Sequence, residues 1–410
     1  MNSKFSLRAR WVLTMDGPPI DGGEVTIADG HIESVHRGLP HSGSAEDLGD
    51  VVLLPGFVNA HTHLEFSQLR QPLGNPGMQL PDWIRLVIAE RKRSDRDVAA
   101  AISQGLTESV RQGVTTIGEI ATVVSQGAYA QEVMPRLVAF QEVIGFSTAR
   151  MASVLADGIE RLASSPADTM QGISPHAPYT VHPQLVSSLV DLALKKNIPV
   201  AMHLAETREE LQLLANNDGP FRELLEERSM WDAEAIPVGS RPLDYLQVLA
   251  RAPQALVIHG NYLAPDEMQF LAEHRQRMAL VYCPRTHAYF KHATYPLREL
   301  LAAGVRVVLG TDSRASNPNL SLLDEMRSVY REHQELAPEQ ILEMGTTAGA
   351  EALGLDDVTG TIACGKEANL TTIACNIETA DPAEAVLASD KQPVRTWVRG
   401  QEVRAISEKA

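Results

Sequence analysis

The chain has 410 residues, 44% of them hydrophobic, with 36 Lys and Arg set against 52 Asp and Glu. This describes an ordinary globular protein with one large domain and room for a small companion. The formal net charge of −16, with no basic stripe to offset it, excludes a nucleic-acid backbone as partner. No run of about 18 apolar residues occurs, so no membrane span is expected. Cys283, Cys364 and Cys375 are too few and too scattered for a disulfide framework and fit a reducing compartment. The first ten residues lack an apolar core of signal-peptide length. A cytoplasmic protein acting on a small molecule is expected, with homo-oligomerisation left open.

Residues 1–54 read as short strands broken by turns: Arg10–Thr14, Glu24–Ala28 and His31–His36, the last two joined by an Asp29-Gly30 hairpin turn. From about residue 56 short apolar runs alternate with helical patterns. The eight strand candidates are Leu53–Ala60, Thr115–Ile120, Leu137–Val143, Gly172–Ser174, Val200–Leu204, Ala255–His259, Ala279–Cys283 and Val305–Gly310. Helical stretches include Val98–Gln112, Pro183–Lys196, Glu209–Asn216, Pro265–Arg275 and Leu297–Ala303. Alternating strands and helices imply a parallel sheet. Eight units over roughly 300 residues predict a (β/α)₈ barrel. Strand-like texture returns at Asn369–Ala374 and Val394–Arg399. The two chain ends are therefore expected to form one small β-sandwich domain, residues 1–55 with 365–410, beside a barrel of residues 56–364.

In such a barrel the chemistry sits at the C-terminal ends of the strands. The first strand ends in His61 and His63, whose i, i+2 spacing puts both imidazoles on one face and turns Thr62 away. The fourth leads to His176, the fifth to His203 and Glu206, the sixth to His259 and the eighth to Thr311-Asp312-Ser313. Polar residues from five strands thus share one rim. Three imidazoles and a carboxylate suit one divalent metal: Zn²⁺, or Fe²⁺, Mn²⁺ or Ni²⁺ by supply. A catalytic site keeps a position open for water and lowers its pKa toward neutrality. Asp312 can both ligate and accept a hydrogen bond from that water. Glu206, three residues past His203, is placed for proton transfer between water and leaving group.

This pattern resembles the amidohydrolase superfamily over nearly the whole chain. Pro55-Gly56-Phe57-Val58-Asn59-Ala60-His61-Thr62-His63 is similar to its opening motif. His203 with Glu206, then His259, then Thr311-Asp312-Ser313 follow in the family order. Asp29-Gly30-His31-Ile32 and Gly365-Lys366-Glu367-Ala368-Asn369-Leu370 resemble the edges of its small sandwich, with Asn369 where Asp is usual. The resemblance implies His61, His63, His203 and Asp312 as ligands of a single metal, since the fourth strand lacks the bridging lysine of binuclear branches. It implies that His259 stabilises the attacking water and that His176 touches the substrate ring.

His-x-x-Glu on the fifth strand and Thr311–Asn317 resemble the adenosine-type deaminases of S-adenosylhomocysteine, methylthioadenosine or aminodeoxyfutalosine. His63–Ser67 and Cys283–His287 lean toward the aminodeoxyfutalosine group. The implied reaction is metal-dependent hydrolytic deamination of a 5′-modified purine nucleoside, with Glu206, His259 and Asp312 catalytic. The alternatives are hydrolysis of another cyclic amide or displacement of chloride from a heterocycle, and, more remotely, a non-catalytic metal-binding scaffold. Trp83 resembles an aromatic that walls the pocket; a core role fits equally. Glu119 and Glu142 read either as ribose ligands or as solvated loop carboxylates. His287 and His292 read as loop histidines, Arg91–Asp97 as a helix surface, and Cys283 as an unactivated thiol.

Overall fold

The computed structural model describes residues 4–37, 45–122, 129, 133–164, 169–376 and 380–403. The outermost ends of the expected small domain, 1–3 and 404–410, lie outside them. Eight strands form one parallel sheet in chain order: β1 (Phe57–Thr62), β2 (Val114–Ala121), β3 (Arg136–Val143), β4 (Met170–Pro175), β5 (Val200–Leu204), β6 (Ala255–His259), β7 (Met278–Tyr282) and β8 (Val307–Leu309). A parallel bridge between Thr62 and Asp312 brings the first and last strands together. The expected (β/α)₈ barrel is present.

The barrel strands are apolar on both faces because helices cover the outside and side chains fill the inside. Alternate residues separate the two faces. Val58, Phe140, Ala201, Leu256, Ile258, Val281 and Val308 form one cluster, joined by Ala350, Leu353 and Leu355. Their strand neighbours Phe57, Leu137, Met202, Val257, Leu280 and Leu309 join the larger cluster with the helices. The covering helices carry the apolar stripe that this demands. Helix Val98–Arg111 buries Ala101, Ile102, Gly105, Leu106, Ser109 and Val110 and is capped by Asp97, which accepts from the Ala100 amide. Helix Pro183–Lys196 ends at Asn197 in the left-handed conformation.

One expected element divides in two. The run Leu53–Ala60 is not one strand: Val51–Pro55 pairs with Leu370–Ala374 in a separate six-stranded sheet, and β1 starts only at Phe57. The chain crosses between the sheets at Gly56, where a Cβ would lie 2.2 Å from Thr115 Cγ2. Pro55 and Gly56 make the break, and continuous hydrophobicity hides it because both flanking strands are buried. The six-stranded sheet draws on both chain ends, and a four-stranded sheet comes from the N-terminal part. Leu7, Val25 and Ile27 of the latter pack with Leu53, Leu370 and Trp397 of the former in one core. Asp29 and Gly30 both have positive φ, 50° and 80°, as the predicted hairpin turn requires.

Candidate active site

The strand ends converge. His61, His63 and Asp312 have ligand atoms within 4.8 Å of one another, and so do His61, His203 and His259. His61 Nε2 and His63 Nε2 lie 3.6 and 3.7 Å from Asp312 Oδ1. By distance alone His259 is as well placed as the other imidazoles, so the spacing does not select three of the four. All five residues are buried.

The donors are held open. Both ring nitrogens of His61, and Nδ1 of His63, are buried with no hydrogen-bond partner. Buried polar atoms without partners are costly, and a cation would satisfy these. The His203 ring is oriented by Nδ1, which donates to the His176 carbonyl at 2.9 Å and leaves Nε2 as the lone-pair nitrogen. Burial, then the charge of His61, push His63 well below the usual histidine range. Burial does the same to His203 and His259. Burial works to raise Asp312, but His61, His63 and His259 outweigh it and hold the carboxyl far below the usual range. Lowered His63, His203 and His259 beside an ionised Asp312 carboxylate are in the donor state a divalent metal needs.

The loops that carry these groups are pinned. Ala205, His259 and Asp312, each at or just past the end of a strand, have φ of 54°, 70° and 53°. Non-glycine residues in this region cost about 1–2 kcal/mol each and persist where the surroundings enforce them. Glu210 accepts from the Ala205 and Glu206 amides at 2.8 and 2.9 Å, and Asn261 donates to the Glu206 carbonyl. Ser316 donates to Asp312 Oδ2 at 2.9 Å, and Asn317 donates to the Thr311 carbonyl. Glu206 itself is buried, with Oε1 3.5 Å from His259 Nε2. Burial, then the charges of Asp312 and Glu210, raise its pKa well above the usual carboxylate range. A carboxyl so raised can hold a proton and release it.

A cavity of about 330 Å³ opens onto this cluster. Its floor includes His63, His203, Glu206, His259 and Asp312, and its walls are mostly apolar: Phe66, Leu80, Ile84, Val87, Ile88, Ile144, Leu224, Leu225 and Met230. His176 and Trp83 both line it. The Trp83 indole also donates to the Ala315 carbonyl at 3.2 Å, so the residue serves wall and packing together. His176 accepts or donates at Thr180 Oγ1, 2.7 Å away, and burial, then the charges of Arg91 and His61, lower it to about 3.

Several expectations are corrected. Arg91 is no surface residue: it lines the cavity, bonds Glu65 at 2.7 Å and faces Glu142 at 3.6 Å, while Arg96 also reaches Glu65. Glu119 and Glu142 are not solvated. Glu119 is buried and accepts the Leu64 amide with both oxygens, and Glu142 is buried beside Arg91 and His176. His287 is no loop residue but lies buried on helix Pro284–Tyr289. Arg91, Tyr179, Arg228 and Ser313 join the lining without having been singled out as binding residues. The only sequence signal for Arg91 was its place one turn beyond the apolar face of helix Leu80–Arg91.

Comparison with known proteins agrees with this geometry. The model of the amidohydrolase family matches residues 52–403. The 5-methylthioadenosine/S-adenosylhomocysteine deaminase of Moorella thermoacetica is 28% identical over 392 residues, which cover 90% of this chain and 85% of that protein. The aminodeoxyfutalosine deaminase of Deinococcus radiodurans is 30% identical over 363 residues, covering 81% and 80%. A crystal structure of Helicobacter pylori aminofutalosine deaminase with methylthio-coformycin has a TM-score of 0.84 at 23% identity, covers 98% of this chain and all of that one, and speaks to the fold.

Proposed function

The chain belongs to the amidohydrolase family, and from that premise we propose that it is a metal-dependent hydrolytic deaminase of a 6-aminopurine nucleoside modified at the 5′ end. The observation that carries this reading is the pairing of two things at one cavity floor. One is a cluster of buried imidazoles around Asp312; the other is Glu206, a buried carboxyl with a raised pKa, 3.5 Å from His259. The deaminases among its relatives support the same reading.

In this proposal His61, His63, His203 and Asp312 hold one divalent metal. The borderline donor set supports Zn²⁺, with Fe²⁺ or Mn²⁺ as the other candidates. When bound, such a metal is a Lewis acid that brings the pKa of water toward neutrality. The protein residues do the rest. Glu206 delivers a proton to the ring nitrogen, without which addition to an aromatic ring carbon is uphill, then takes up the proton that the added oxygen gives up and passes it to the departing amine. His259, fixed by its backbone and by Tyr295, which donates to its carbonyl at 3.0 Å, steadies charge that develops next to Glu206. His176 and Trp83 hold the base against the apolar wall.

The same reading assigns the barrel to residues 56–364 and the small domain to 1–55 with 365–410, supported by the crossing at Gly56. It places the enzyme in the cytoplasm, supported by the thiols Cys283, Cys364 and Cys375, all free. The test is ammonia release, with the accompanying change from adenine to hypoxanthine absorbance. Adenine, adenosine, methylthioadenosine, S-adenosylhomocysteine, aminodeoxyfutalosine, guanine and a cyclic amide are compared. At least one 5′-modified nucleoside is expected to exceed free adenine widely in kcat/KM. Hydrolysis of the cyclic amide alone overturns the substrate class.

A further inference from the structure

The chain leaving β5 is held from two sides by different means. On one side the carbonyls of Leu204, Ala205 and Glu206 accept from the loop past β6: from the Gly260 and Tyr262 amides at 3.0 Å each and from the Asn261 side chain at 2.9 Å. On the other side the amides of Ala205 and Glu206 go to a single side chain, donating to the two carboxyl oxygens of Glu210 at 2.8 and 2.9 Å. Glu210 is the third residue of helix Arg208–Asn216 and is fully buried, and its own amide donates to the capping Thr207 hydroxyl at 3.2 Å. A glutamate at this place ordinarily turns back to the amide of the capping residue. This one reaches past it, to the two residues before. Burial pushes its carboxyl up to about 7, and the amides of Ala205, Glu206 and Thr207 pull it back. A buried carboxylate is costly to keep, and Glu210 does not line the cavity.

We infer that Glu210 is the positioning residue that keeps the carboxyl of Glu206 turned toward His259 and the substrate ring. This deepens the proposed deaminase function and rests on it. Ala205 stands between His203 and Glu206 with a φ of 54°. A non-glycine residue leaves that conformation unless its surroundings hold it there. The sign of this one angle sets the direction in which Glu206 departs from the strand. His203 is held independently, since its amide donates to the His176 carbonyl at 2.9 Å and it lies in register with Ile258 of β6. Release of the two amides would therefore turn Glu206 away while His203 stays in place. Only an ionised carboxyl accepts with both oxygens at once. A glutamine would accept one amide and point its own N–H groups at the other.

The test is a double-mutant cycle on the metal-loaded enzyme, with methylthioadenosine, S-adenosylhomocysteine or aminodeoxyfutalosine as substrate, whichever is deaminated fastest. Glu210→Gln should lower kcat by roughly ten- to a hundredfold, the scale of a hydrogen bond to a charged group. Metal content should match the wild type and KM should stay within about threefold, because Glu210 does not line the cavity. In a Glu206→Gln background the same change should cost less than about threefold, since the group that it aims is already gone. Glu210→Asp keeps the charge and shortens the reach by one carbon. It should follow the same cycle, which secures the result where the glutamine variant folds poorly. Hydrogen exchange reads the hold without turnover: the Ala205 and Glu206 amides should exchange faster in Glu210→Gln than in the wild type. Additive losses from the two substitutions, or loss of metal in step with rate, overturn the positioning role and leave deamination intact. Faster exchange in the variant, with no ammonia released from any nucleoside by the wild type, supports the hold on Glu206 and overturns the deaminase reading.

Discussion

Thr62 Oγ1 donates a hydrogen bond of 2.8 Å to the backbone carbonyl of Asp312. This contact spans 250 residues of sequence and ties the first barrel strand to the end of the last. It also explains how Asp312 keeps its left-handed backbone, since its amide donates to the His61 carbonyl at 3.1 Å on the same side. The residue between the two histidines is therefore part of the site's frame. Thr62→Val keeps the shape and leaves the buried Asp312 carbonyl with the Thr311 hydroxyl, 3.1 Å away, as its remaining side-chain donor, which costs about 0.5–1.5 kcal/mol. The expected outcome is a lower Tm together with weaker metal retention on dialysis against a chelator. A variant that loses Tm but holds its metal as tightly as the wild type would show that the bond closes the barrel without positioning Asp312.

Metal content tests the proposed ligand set directly. Elemental analysis of the wild type should give about one divalent ion per chain. His61→Ala removes the imidazole common to both ligand groups, so it should lose most of the ion and the activity. His259→Ala should keep the ion and lose activity, because His259 is proposed to act on charge near Glu206. Loss of the ion in His259→Ala, with retention in His63→Ala, would exchange the roles of those two residues.

The barrel and the cluster at its rim were legible because period and position coincide. His61 and His63 stand two apart at the end of an apolar run, and His203, His259 and Asp312 each close another such run, so strand geometry alone carries them to one rim. What was not legible depends on partners far away in sequence. Arg91 and Glu142 are separated by 51 positions, and nothing local to either shows that one will neutralise the other. Glu119 resembled a rim carboxylate by its place at the end of β2, but its oxygens go to the Leu64 amide. Arg228 and Tyr179 lie on segments with no barrel strand to fix their direction. The break at Gly56 escaped notice because hydrophobic periodicity reports burial and is silent about which sheet does the burying.

His287 and His292 should make stability fall as the solution becomes mildly acidic, whereas Glu210, raised to about 7 chiefly by burial, acts the other way. Their rings stand 5.3 Å apart. Burial, before any neighbouring charge, lowers each to about 4 from the ordinary 6.5. Between those values the unfolded chain binds protons that the folded chain refuses. The folded state is thus favoured fully above pH 6.5 and loses that advantage as pH falls toward 4. Between pH 7.0 and 5.0 the denaturant midpoint of the wild type should fall relative to that of His292→Gln, and proton uptake on unfolding near pH 5 should include about one proton for each histidine. An unchanged slope in that variant would assign the acid sensitivity to other groups.

The last prediction concerns Glu206. It lies on the loop after β5, its amide donating to Glu210 and its carbonyl accepting from Asn261, so its backbone is fixed on both sides. Its carboxyl is buried beside His259 and has its pKa raised by burial first and then by Asp312 and Glu210. A fully exposed carboxylate would be ionised at neutral pH and poor at donating a proton; a buried, raised one can donate to a ring nitrogen and then to an amine. Glu206→Gln preserves size and hydrogen-bonding capacity but cannot shuttle a proton. Turnover should fall by about 10²–10⁴-fold, the usual range for loss of a general acid–base. Metal content and the binding of a non-reacting nucleoside should stay at wild-type levels, since the amide still fits between His259 and the cavity. The two readouts divide the possible failures. Near-normal kcat would make Glu206 a bystander. Loss of metal alongside loss of rate would show that its carboxylate supports the cluster, leaving the proton transfer to another group on the cavity floor.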